Sequence, residues 1–274
     1  MNIENKLFVA NSMELLWKFP RISIDLCVTS PPYYNARKYD NLRLFKNARA
    51  WTMFCLEMLL AIKHVIKEDG VIWWNSGPGY ENNRRLTTIY EIILEAKNWG
   101  LHLIDELPWC KTTYLPKVYR NRPYPAWEHN LIFSKDPDLV VYHKDNVRVP
   151  YAESTLKRLE YPVGDIQMTE DGKAPNRKMV KAHPDGKTVP NYFVMAGDKT
   201  RRDHPAPMKP ELANWAIRAY SEPGDIVLDP MVGCGTTCVE AKRLGRNYVG
   251  IDLSEEYIEM TRKALEETEN GTQK

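Results

Sequence analysis

Short apolar runs and longer amphipathic stretches alternate along the first half of the chain. The runs are bounded by polar residues, glycine or proline, which predicts buried strands. The stretch 50–67 carries Phe54, Met58, Ile62 and Val65 at helical spacing, which predicts a helix packed on a sheet. The predicted strands are 7–10, 24–28, 71–74, 101–109 and 130–133, and the predicted helices are 12–17, 50–67 and 87–97. This alternation favours an α/β fold with a parallel, doubly wound sheet.

The same alternation returns near the C-terminus, after an irregular middle segment. Residues 136–203 contain scattered prolines and little periodicity, so we expect an insertion with small elements of its own. The elements predicted after it are helix 210–219, strand 226–228, helix 236–244, strand 248–251 and helix 255–265. We therefore divide the chain into 1–135, 136–203 and 204–274, with the first and last parts forming one α/β domain.

The composition is ordinary for a globular protein, with 274 residues, 43% hydrophobic and 27% charged, and a net charge of +2. Because this charge is small, a nucleic-acid surface would have to come from local clusters of Lys and Arg. The one close cysteine pair, Cys234 and Cys238, is not a CxxC motif, which disfavours a metal site. The odd cysteine count and the lack of a signal-peptide pattern suggest a reducing cytoplasm. No apolar run reaches the roughly 18 residues that a membrane helix needs.

A loop with the sequence DPMVGCGTT, 229–237, lies between a predicted strand and a predicted helix. Its glycines let the backbone approach a ligand closely, and the helix N-terminus offers free N–H groups. Asp252 ends the next predicted strand, at the spacing where an acidic residue accepts hydrogen bonds from a ribose. No Lys follows the loop, so a nucleoside with a carboxylate and a cationic group fits better than a pyrophosphate. The alternative is a plain strand-to-helix turn.

A second loop with the sequence TSPPY, 29–33, ends the strand predicted at 24–28. Its two prolines, Pro31 and Pro32, stiffen the turn and remove two N–H donors, so the turn presents carbonyl oxygens. An exocyclic base amine needs acceptors that hold its N–H groups while its nitrogen attacks a methyl group. Ser30 Oγ and the Pro31 carbonyl are candidate acceptors, and Tyr33 is a candidate stacking partner for the base. The alternative is a strand stopped by proline.

Together with GIDLSEEY at 250–257, these two loops resemble the motifs of the amino-methyltransferases of bacterial and phage DNA. The catalytic motif comes first and the cofactor motif last, which resembles the permuted β-type members with a target-recognition region between the two. The resemblance covers about 5–135 and 204–266. It implies a Rossmann-like methyltransferase fold, S-adenosylmethionine as methyl donor and a target base that is flipped out of the duplex.

The resemblance also implies a set of cofactor-binding residues. These are Asn11, Thr29, Asp229, Pro230, Met231, Gly233, Gly235, Thr236, Thr237 and Asp252. Two positions depart from the family pattern. Ala10-Asn11 stands where Gly-Asp is common at the strand end that meets the adenine, and Met231 stands where Phe is common beside the cofactor. Met is apolar and adaptable, so the same packing role can be kept.

The modified base and the DNA surface follow less directly from the sequence. Ser30 resembles the cytosine-N4 enzymes more than the adenine-N6 enzymes, so N4 of cytosine is favoured and N6 of adenine is the alternative. Basic and aromatic residues after the catalytic loop, and again further along the chain, are suited to flanking phosphates and bases. The candidate DNA contacts are Tyr34, Arg37, Lys38, Arg120, Arg122, Arg177 and Lys178. A solvated surface is the alternative for each.

Two other functions stay open at this point. A methyltransferase of RNA or of protein glutamine amide would use a similar proline-rich loop, although the early position of TSPPY and the long insertion favour DNA. A DNA-binding module without chemistry is disfavoured by the two intact motifs. A DNA methyltransferase would act on duplex DNA in the cytoplasm, associated with the nucleoid, as a monomer or homodimer. A restriction endonuclease encoded nearby is a conceivable partner.

Overall fold

A computed structural model describes residues 2–34, 45–114, 118–161, 180–197 and 208–269. The chain divides into two compact units. The first combines Met1–Tyr142 with Asn191–Lys274, and the second is His143–Pro190.

The described strands and helices follow the predicted alternation. The strands are β1 Lys6–Val9, β2 Ile24–Thr29, β3 Ile66–Ser76, β4 Tyr80–Glu81, β5 Arg84–Arg85, β6 His102–Glu106, β7 Trp109–Lys111, β8 Trp127–Ser134, β9 Phe193–Met195, β10 Ile226–Asp229 and β11 Asn247–Asp252. The helices are α1 Ser12–Leu16, α2 Ala48–Val65, α3 Thr88–Asn98, α4 Glu153–Leu159, α5 Pro210–Tyr220, α6 Thr236–Arg243 and α7 Glu255–Glu269. All of them except α4 belong to the first unit.

Nine of the described strands form one sheet in the order β1-β11-β10-β2-β3-β8-β7-β9, with β6 also paired to β8. The strands from β1 to β3 run parallel, which confirms the predicted doubly wound α/β fold. β8 differs, because it runs antiparallel to β3, β6 and β7. A parallel neighbour needs a crossover connection, usually a helix, and the described residues between β7 and β8 contain none.

The central strands are apolar because both of their faces are covered. Leu26, Cys27 and Val28 of β2 are fully buried, as expected for a parallel strand between two helical layers. The apolar side of α2 packs on one face of the sheet, and that of α5 packs on the other. The core is therefore centred on β2 and β3, and the loops that follow these strands are built on a rigid base.

The predicted end of the second helix, at 67, is wrong by two residues. α2 ends at Val65, and Ile66 is already extended, with φ −67° and ψ 142°, and pairs with Ile24 of β2. The helical spacing of apolar residues extends past Val65 in the sequence, because a fully buried Ile66 fits the last turn of a helix and the first residue of a strand equally well. β3 is correspondingly longer than the predicted 71–74.

The second unit is small and has little regular structure among its described residues. It contains a 3₁₀ turn, Lys144–Val147, the helix α4, and one bridge between Val149 and Lys187. The Arg148 guanidinium donates to Asp145 Oδ1 at 2.7 Å and to the Gly186 carbonyl at 2.9 Å. A target-recognition role for residues 136–203 stays a prediction. In neither unit does a helix of the described ranges have the length and apolar character needed to cross a bilayer.

Candidate functional site

The two loops singled out in the sequence lie side by side at the carboxyl ends of β2 and β10. These strands are parallel neighbours, with Leu26 paired to Val227 and Cys27 paired to Leu228. Thr29, at the end of β2, donates a hydrogen bond of 2.8 Å from Oγ1 to Asp229 Oδ1. The sheet therefore brings together two segments that are 200 residues apart in sequence.

A second hydrogen bond supports the same junction from the helix that follows the glycine turn. Thr237 Oγ1, in the first turn of α6, donates to the Val28 carbonyl at 3.1 Å. Both Thr29 and Thr237 are fully buried. Their hydroxyls thus act between the turns rather than toward a ligand, and neither residue lines the cavity described below.

The buried carboxylate of Asp229 lies at the centre of this junction. Its Oδ1 also accepts the Met231 backbone N–H at 3.1 Å. Burial raises the pKa of the Asp229 carboxyl to about 6, although the hydrogen bonds from Thr29, Met231 and Thr237 act in the opposite direction. Asp229 therefore supports the turn from behind.

The glycine turn depends on two backbone conformations that favour glycine. Gly233 has φ 49° and Gly235 has φ 84°. A Cβ added at Gly235 would lie 2.8 Å from Thr261 of α7, so this position has no room for a side chain. Gly235 precedes Thr236, where α6 begins. Gly235 therefore lets the turn pack directly against α7.

Asp252, at the end of β11, is held by two backbone amides. Its Oδ2 accepts the Gly233 N–H at 3.0 Å, and its Oδ1 accepts the Ser254 N–H at 3.0 Å. Burial nevertheless raises the pKa of the Asp252 carboxyl above its ordinary value. The carboxylate is thus fixed in direction beside the glycine turn and keeps lone pairs for a ligand hydroxyl.

A cavity of about 360 Å³ lies in front of both turns. The residues lining it are Asn11, Ser12, Ser30, Pro32, Phe45, Phe54, Met58, Pro230, Met231, Gly233, Asp252, Leu253 and Tyr257. Asp252 is the only carboxylate among these described lining residues. Across the described ranges, no group of three or more His, Cys, Asp or Glu side chains is placed to hold a metal ion. The cavity therefore combines apolar walls with a few polar groups, as ligand pockets commonly do.

Asn11 contacts the cavity from the start of α1, where it is the N-cap. Its side chain accepts the Met13 N–H at 3.1 Å and donates to Glu14 Oε1 at 3.1 Å. The neighbouring Ser12 hydroxyl donates to the Pro230 carbonyl. This contact joins the first helix to the glycine turn and places Asn11 at the cavity edge.

The proline turn is held from two sides. The Trp51 indole N–H of α2 donates to the Pro32 carbonyl at 2.7 Å. On the other side, a Cβ at Gly77 would come within 2.9 Å of the Tyr33 ring, so glycine is needed for this close approach. Pro31 is buried and is not among the described lining residues, whereas Ser30 lines the cavity.

Two polar residues near this turn were missed in the sequence, Asn75 of β3 and Glu128 of β8. Tyr33 Oη lies 2.7 Å from Asn75 Oδ1 and 3.0 Å from Glu128 Oε2. Ser30 Oγ lies 3.3 Å from Asn75 Oδ1. Polar residues at the ends of otherwise apolar strands, as in WWNS and WEHN, were the available signal. Stacking of the Tyr33 ring on a base stays a prediction.

Three of the seven predicted DNA contacts lie within the described residues, and their surroundings differ. Arg120 is exposed. The Arg122 guanidinium lies between two tyrosine rings, 3.9 Å from the centroid of Tyr80 and 3.7 Å from that of Tyr119. Tyr34 is only 4% exposed, and its hydroxyl donates to Glu81 Oε1 at 2.8 Å. The other four, Arg37, Lys38, Arg177 and Lys178, lie outside the described residues.

Comparison with known proteins identifies this arrangement. The family model for N6/N4-type DNA methylases matches residues 24–263. The type II methyltransferase M.HpaI of Haemophilus parainfluenzae is 28% identical over 270 residues, which cover 98% of this chain and 76% of M.HpaI.

Two solved structures share the fold. The PvuII DNA methyltransferase (cytosine-N4-specific) has a TM-score of 0.69 at 19% identity, and the match covers 98% of this chain and 93% of that one. The M1.HpyAVI-SAM complex has a TM-score of 0.60 at 19% identity, with coverage of 95% and 98%. The family match spans the proline turn, the glycine turn and the sheet that joins them, and the chain therefore belongs to the N6/N4 family of DNA methylases.

Proposed function

We propose that this chain transfers a methyl group from S-adenosylmethionine to the exocyclic N4 of cytosine in duplex DNA. The observation that carries the proposal is the shared cavity, which Ser30 lines from the proline turn and Gly233 and Asp252 line from the cofactor side. Ser30 and the likeness to a methyltransferase named cytosine-N4-specific support cytosine. The family also includes the N6 type, so N6 of adenine is the alternative.

The lining residues fit S-adenosylmethionine. A volume of about 360 Å³ lies within the usual range for small-molecule pockets. The Asp252 carboxylate can accept hydrogen bonds from ribose hydroxyls, and the apolar side chains of Phe54 and Met58 can pack against an adenine ring. Leu253 lines the cavity yet is 75% exposed, so a bound ligand would cover its apolar surface. The solved complex of M1.HpyAVI with SAM supports the same cofactor.

The chemistry follows from the residues of the proline turn. When bound, S-adenosylmethionine supplies a methyl group attached to a positively charged sulfur, which makes the methyl reactive toward a nitrogen. Ser30 Oγ and the Pro31 carbonyl accept the two N–H groups of the flipped base, so the nitrogen becomes pyramidal and its lone pair, otherwise delocalised into the ring, is directed at the methyl. The N–C bond forms as the S–C bond breaks. The methylated nitrogen then releases one proton to water.

The junction between the turns keeps the two reactants aligned. Thr29 is joined to Asp229 behind the cavity, so separation of the two turns would break a buried hydrogen bond. Effective transfer requires the reacting atoms to be held near contact distance, and small misplacements are costly. The sheet end therefore does the positioning.

For the DNA surface, Arg37, Lys38, Arg177 and Lys178 stay predictions, because they lie outside the described residues. Arg120 is exposed and is proposed as a phosphate contact. The Arg122 guanidinium is held by Tyr80 and Tyr119, so we assign it to support of the surrounding loop. Residues 136–203 are proposed as the target-recognition region, and an endonuclease partner fits a relative named as a type II methyltransferase.

Transfer of labelled methyl tests the proposal. Purified chain is incubated with methyl-labelled S-adenosylmethionine and either unmodified duplex DNA, RNA or a protein mixture, and the DNA is then digested for mass spectrometry of its nucleosides. We expect label in DNA only, as N4-methylcytosine. Label recovered as N6-methyladenine would favour the alternative base. Label in RNA or protein, or on carbon 5 of cytosine, would contradict the proposal.

A variant of the catalytic serine tests the assigned residue. We expect Ser30→Ala to lower the single-turnover rate by about 10²-fold or more, because one of two acceptors for the amine is lost. Binding of S-adenosylhomocysteine should stay within twofold of the wild type. Ser23→Ala is a matched control, since the Ser23 hydroxyl donates to the Pro20 carbonyl before β2 begins and does not line the cavity. Full activity of Ser30→Ala would show that the catalytic assignment is wrong.

A further inference from the structure

Behind the proline turn, a buried amide faces the catalytic serine. Asn75 is 1% exposed and lies near the carboxyl end of β3. Its Oδ1 is 2.7 Å from Tyr33 Oη and 3.3 Å from Ser30 Oγ. Asn75 is not among the residues that line the cavity, so any influence on a substrate would act through its neighbours.

The direction of the Asn75 amide is fixed by β8. Asn75 pairs with Asn130 across the antiparallel ladder, and Asn75 Nδ2 lies 3.0 Å from Asn130 Oδ1 and 3.3 Å from the His129 carbonyl. Asn130 uses its own Nδ2 to donate to the Leu107 carbonyl at 2.8 Å, so its Oδ1 must face Asn75. Both acceptors require an N–H₂ group, so the oxygen of Asn75 necessarily faces Ser30 and Tyr33.

Glu128 adds a second hydrogen-bond acceptor beside the Tyr33 hydroxyl. Glu128 is 8% exposed, its Oε2 lies 3.0 Å from Tyr33 Oη, and its Oε1 forms an ion pair with Lys111. An ionised carboxylate only accepts hydrogen bonds. The network formed by the Ser30 and Tyr33 hydroxyls, Asn75 Oδ1 and Glu128 Oε2 therefore holds two protons and at least two strong acceptors for them.

The proton count determines how Ser30 presents its oxygen. Tyr33 donates to Asn75 or Glu128, and Ser30 donates to Asn75 or to the Tyr33 oxygen, which is 3.3 Å away. In these arrangements the Ser30 proton points into the network rather than into the cavity. The lone pairs of Ser30 Oγ then face the cavity, where an exocyclic amine brings N–H groups and needs an acceptor.

We propose that Asn75 is a positioning residue that, together with Glu128, holds the Ser30 hydroxyl as a hydrogen-bond acceptor for the target amine. The inference rests on the proposed function, because it assigns Asn75 a role only if Ser30 receives an amine. Without the Asn75 oxygen, the Ser30 hydroxyl keeps only the Tyr33 oxygen, 3.3 Å away, as an acceptor in this network, and it spends more of its time with its proton directed at the incoming N–H. Methyl transfer then slows, while the cofactor side of the cavity is unchanged.

The test is a double-mutant cycle on single-turnover methyl transfer, with Ser30→Ala and Asn75→Leu as its arms. Leu has a similar size and no polar atoms. We expect Asn75→Leu to lower kcat about 10- to 100-fold in the wild-type background, with KM for DNA and affinity for S-adenosylhomocysteine within twofold. In the Ser30→Ala background, the same substitution should cost less than about threefold, because the group through which Asn75 acts is gone.

A second variant and a control keep the result interpretable if Asn75→Leu fails to fold. Glu128→Gln keeps the shape of the side chain and an oxygen for Lys111, but it turns an N–H₂ group toward Tyr33. It should lower kcat about fivefold or more in the wild-type background and have little further effect in the Ser30→Ala background. Asn214→Leu removes an amide hydrogen bond of 2.9 Å to Glu240, away from the cavity. This control should change stability and leave kcat unchanged.

The outcomes separate the inference from the proposed function. If Asn75→Leu and Glu128→Gln keep kcat within twofold while Ser30→Ala is slow, the positioning role is wrong and the function stands. The role is equally wrong if the losses multiply in the Ser30→Ala background, because that is the behaviour of a general structural defect. If the wild type transfers no methyl to a DNA amine, the proposed function itself fails.

Discussion

The hydrogen bond between the two turns gives a quantitative prediction for Thr29→Val. Thr29 is fully buried, and its Oγ1 donates to Asp229 Oδ1 at 2.8 Å. Val has nearly the same shape, so the substitution removes the donor without leaving a cavity. A hydrogen bond to a charged group contributes about 1.5–3 kcal/mol, so we expect the free energy of unfolding at pH 8 to fall by about 2 kcal/mol.

The cost of this substitution should depend on pH, because the carboxyl of Asp229 has a pKa of about 6 in the folded protein. At pH 8 the group is ionised and the lost bond is charge-assisted. At pH 5 it is protonated in the folded state, so the lost bond is one between neutral groups and contributes about 1 kcal/mol. The destabilisation by Thr29→Val should therefore shrink by about half between pH 8 and pH 5.

Urea unfolding followed by tryptophan fluorescence measures both values, since the chain has eight tryptophans. At pH 8 the melting temperature should also fall by about 4–8 °C, at roughly 2–4 °C per kcal/mol for a domain of this size. Thr52→Val is the control, because the Thr52 hydroxyl donates to the Ala48 carbonyl of its own helix. Its effect should be small and equal at both pH values. A cost for Thr29→Val that is below 0.5 kcal/mol, or independent of pH, would refute the reasoning.

Three further predictions concern the cofactor side. Asp252→Ala should weaken the binding of S-adenosylhomocysteine about 10-fold or more, as measured by calorimetry. The substitution removes an acceptor for the ribose and the partner of the Gly233 amide. An unchanged affinity would exclude this role for Asp252. Gly235→Ala should lower the free energy of unfolding, measured in urea, by about 1–3 kcal/mol. The reason is that φ is 84° at this position and the new Cβ would meet Thr261 at 2.8 Å. An unchanged free energy of unfolding would contradict the close packing of Gly235 against Thr261. The pKa of the Asp229 carboxyl is raised from 3.8 to about 6, so the folded state binds more protons than the unfolded state between these values. Wild-type stability measured against Asp229→Asn should therefore fall by about 2 kcal/mol as pH rises from 4 to 7. A rise or no change would contradict the burial of this carboxylate.

The sequence predicted the parts of the site that depend on residues close together along the chain. The turn 29–33 and the turn 229–237 each follow a short apolar run, and strand ends of a parallel sheet meet at one edge. The proximity of Ser30 to Gly233 and Asp252 follows from this rule, and all three line one cavity. Periodicity also placed most helices and strands, because the apolar spacing differs between the two.

What the sequence could not predict depends on pairing across strands. The antiparallel direction of β8 is set by its connection to β7, and the contact of Asn75 with Asn130 exists only in that register. Arg122 illustrates the same limit, because a basic residue among tyrosines suits DNA and a cation–π contact equally well, and the structure places its guanidinium between two rings. The spacing of residues along the chain does not predict either contact.

A crystal structure of the chain with S-adenosylhomocysteine and a short duplex that it methylates would test the central claim most directly. We predict the cofactor sulfur in the cavity between Gly233 and Ser30, the ribose on Asp252, and a flipped cytosine with its N4 within hydrogen-bond distance of Ser30 Oγ and the Pro31 carbonyl. A base held elsewhere, or a cofactor bound away from the glycine turn, would contradict the joint use of the two turns in one methyl transfer.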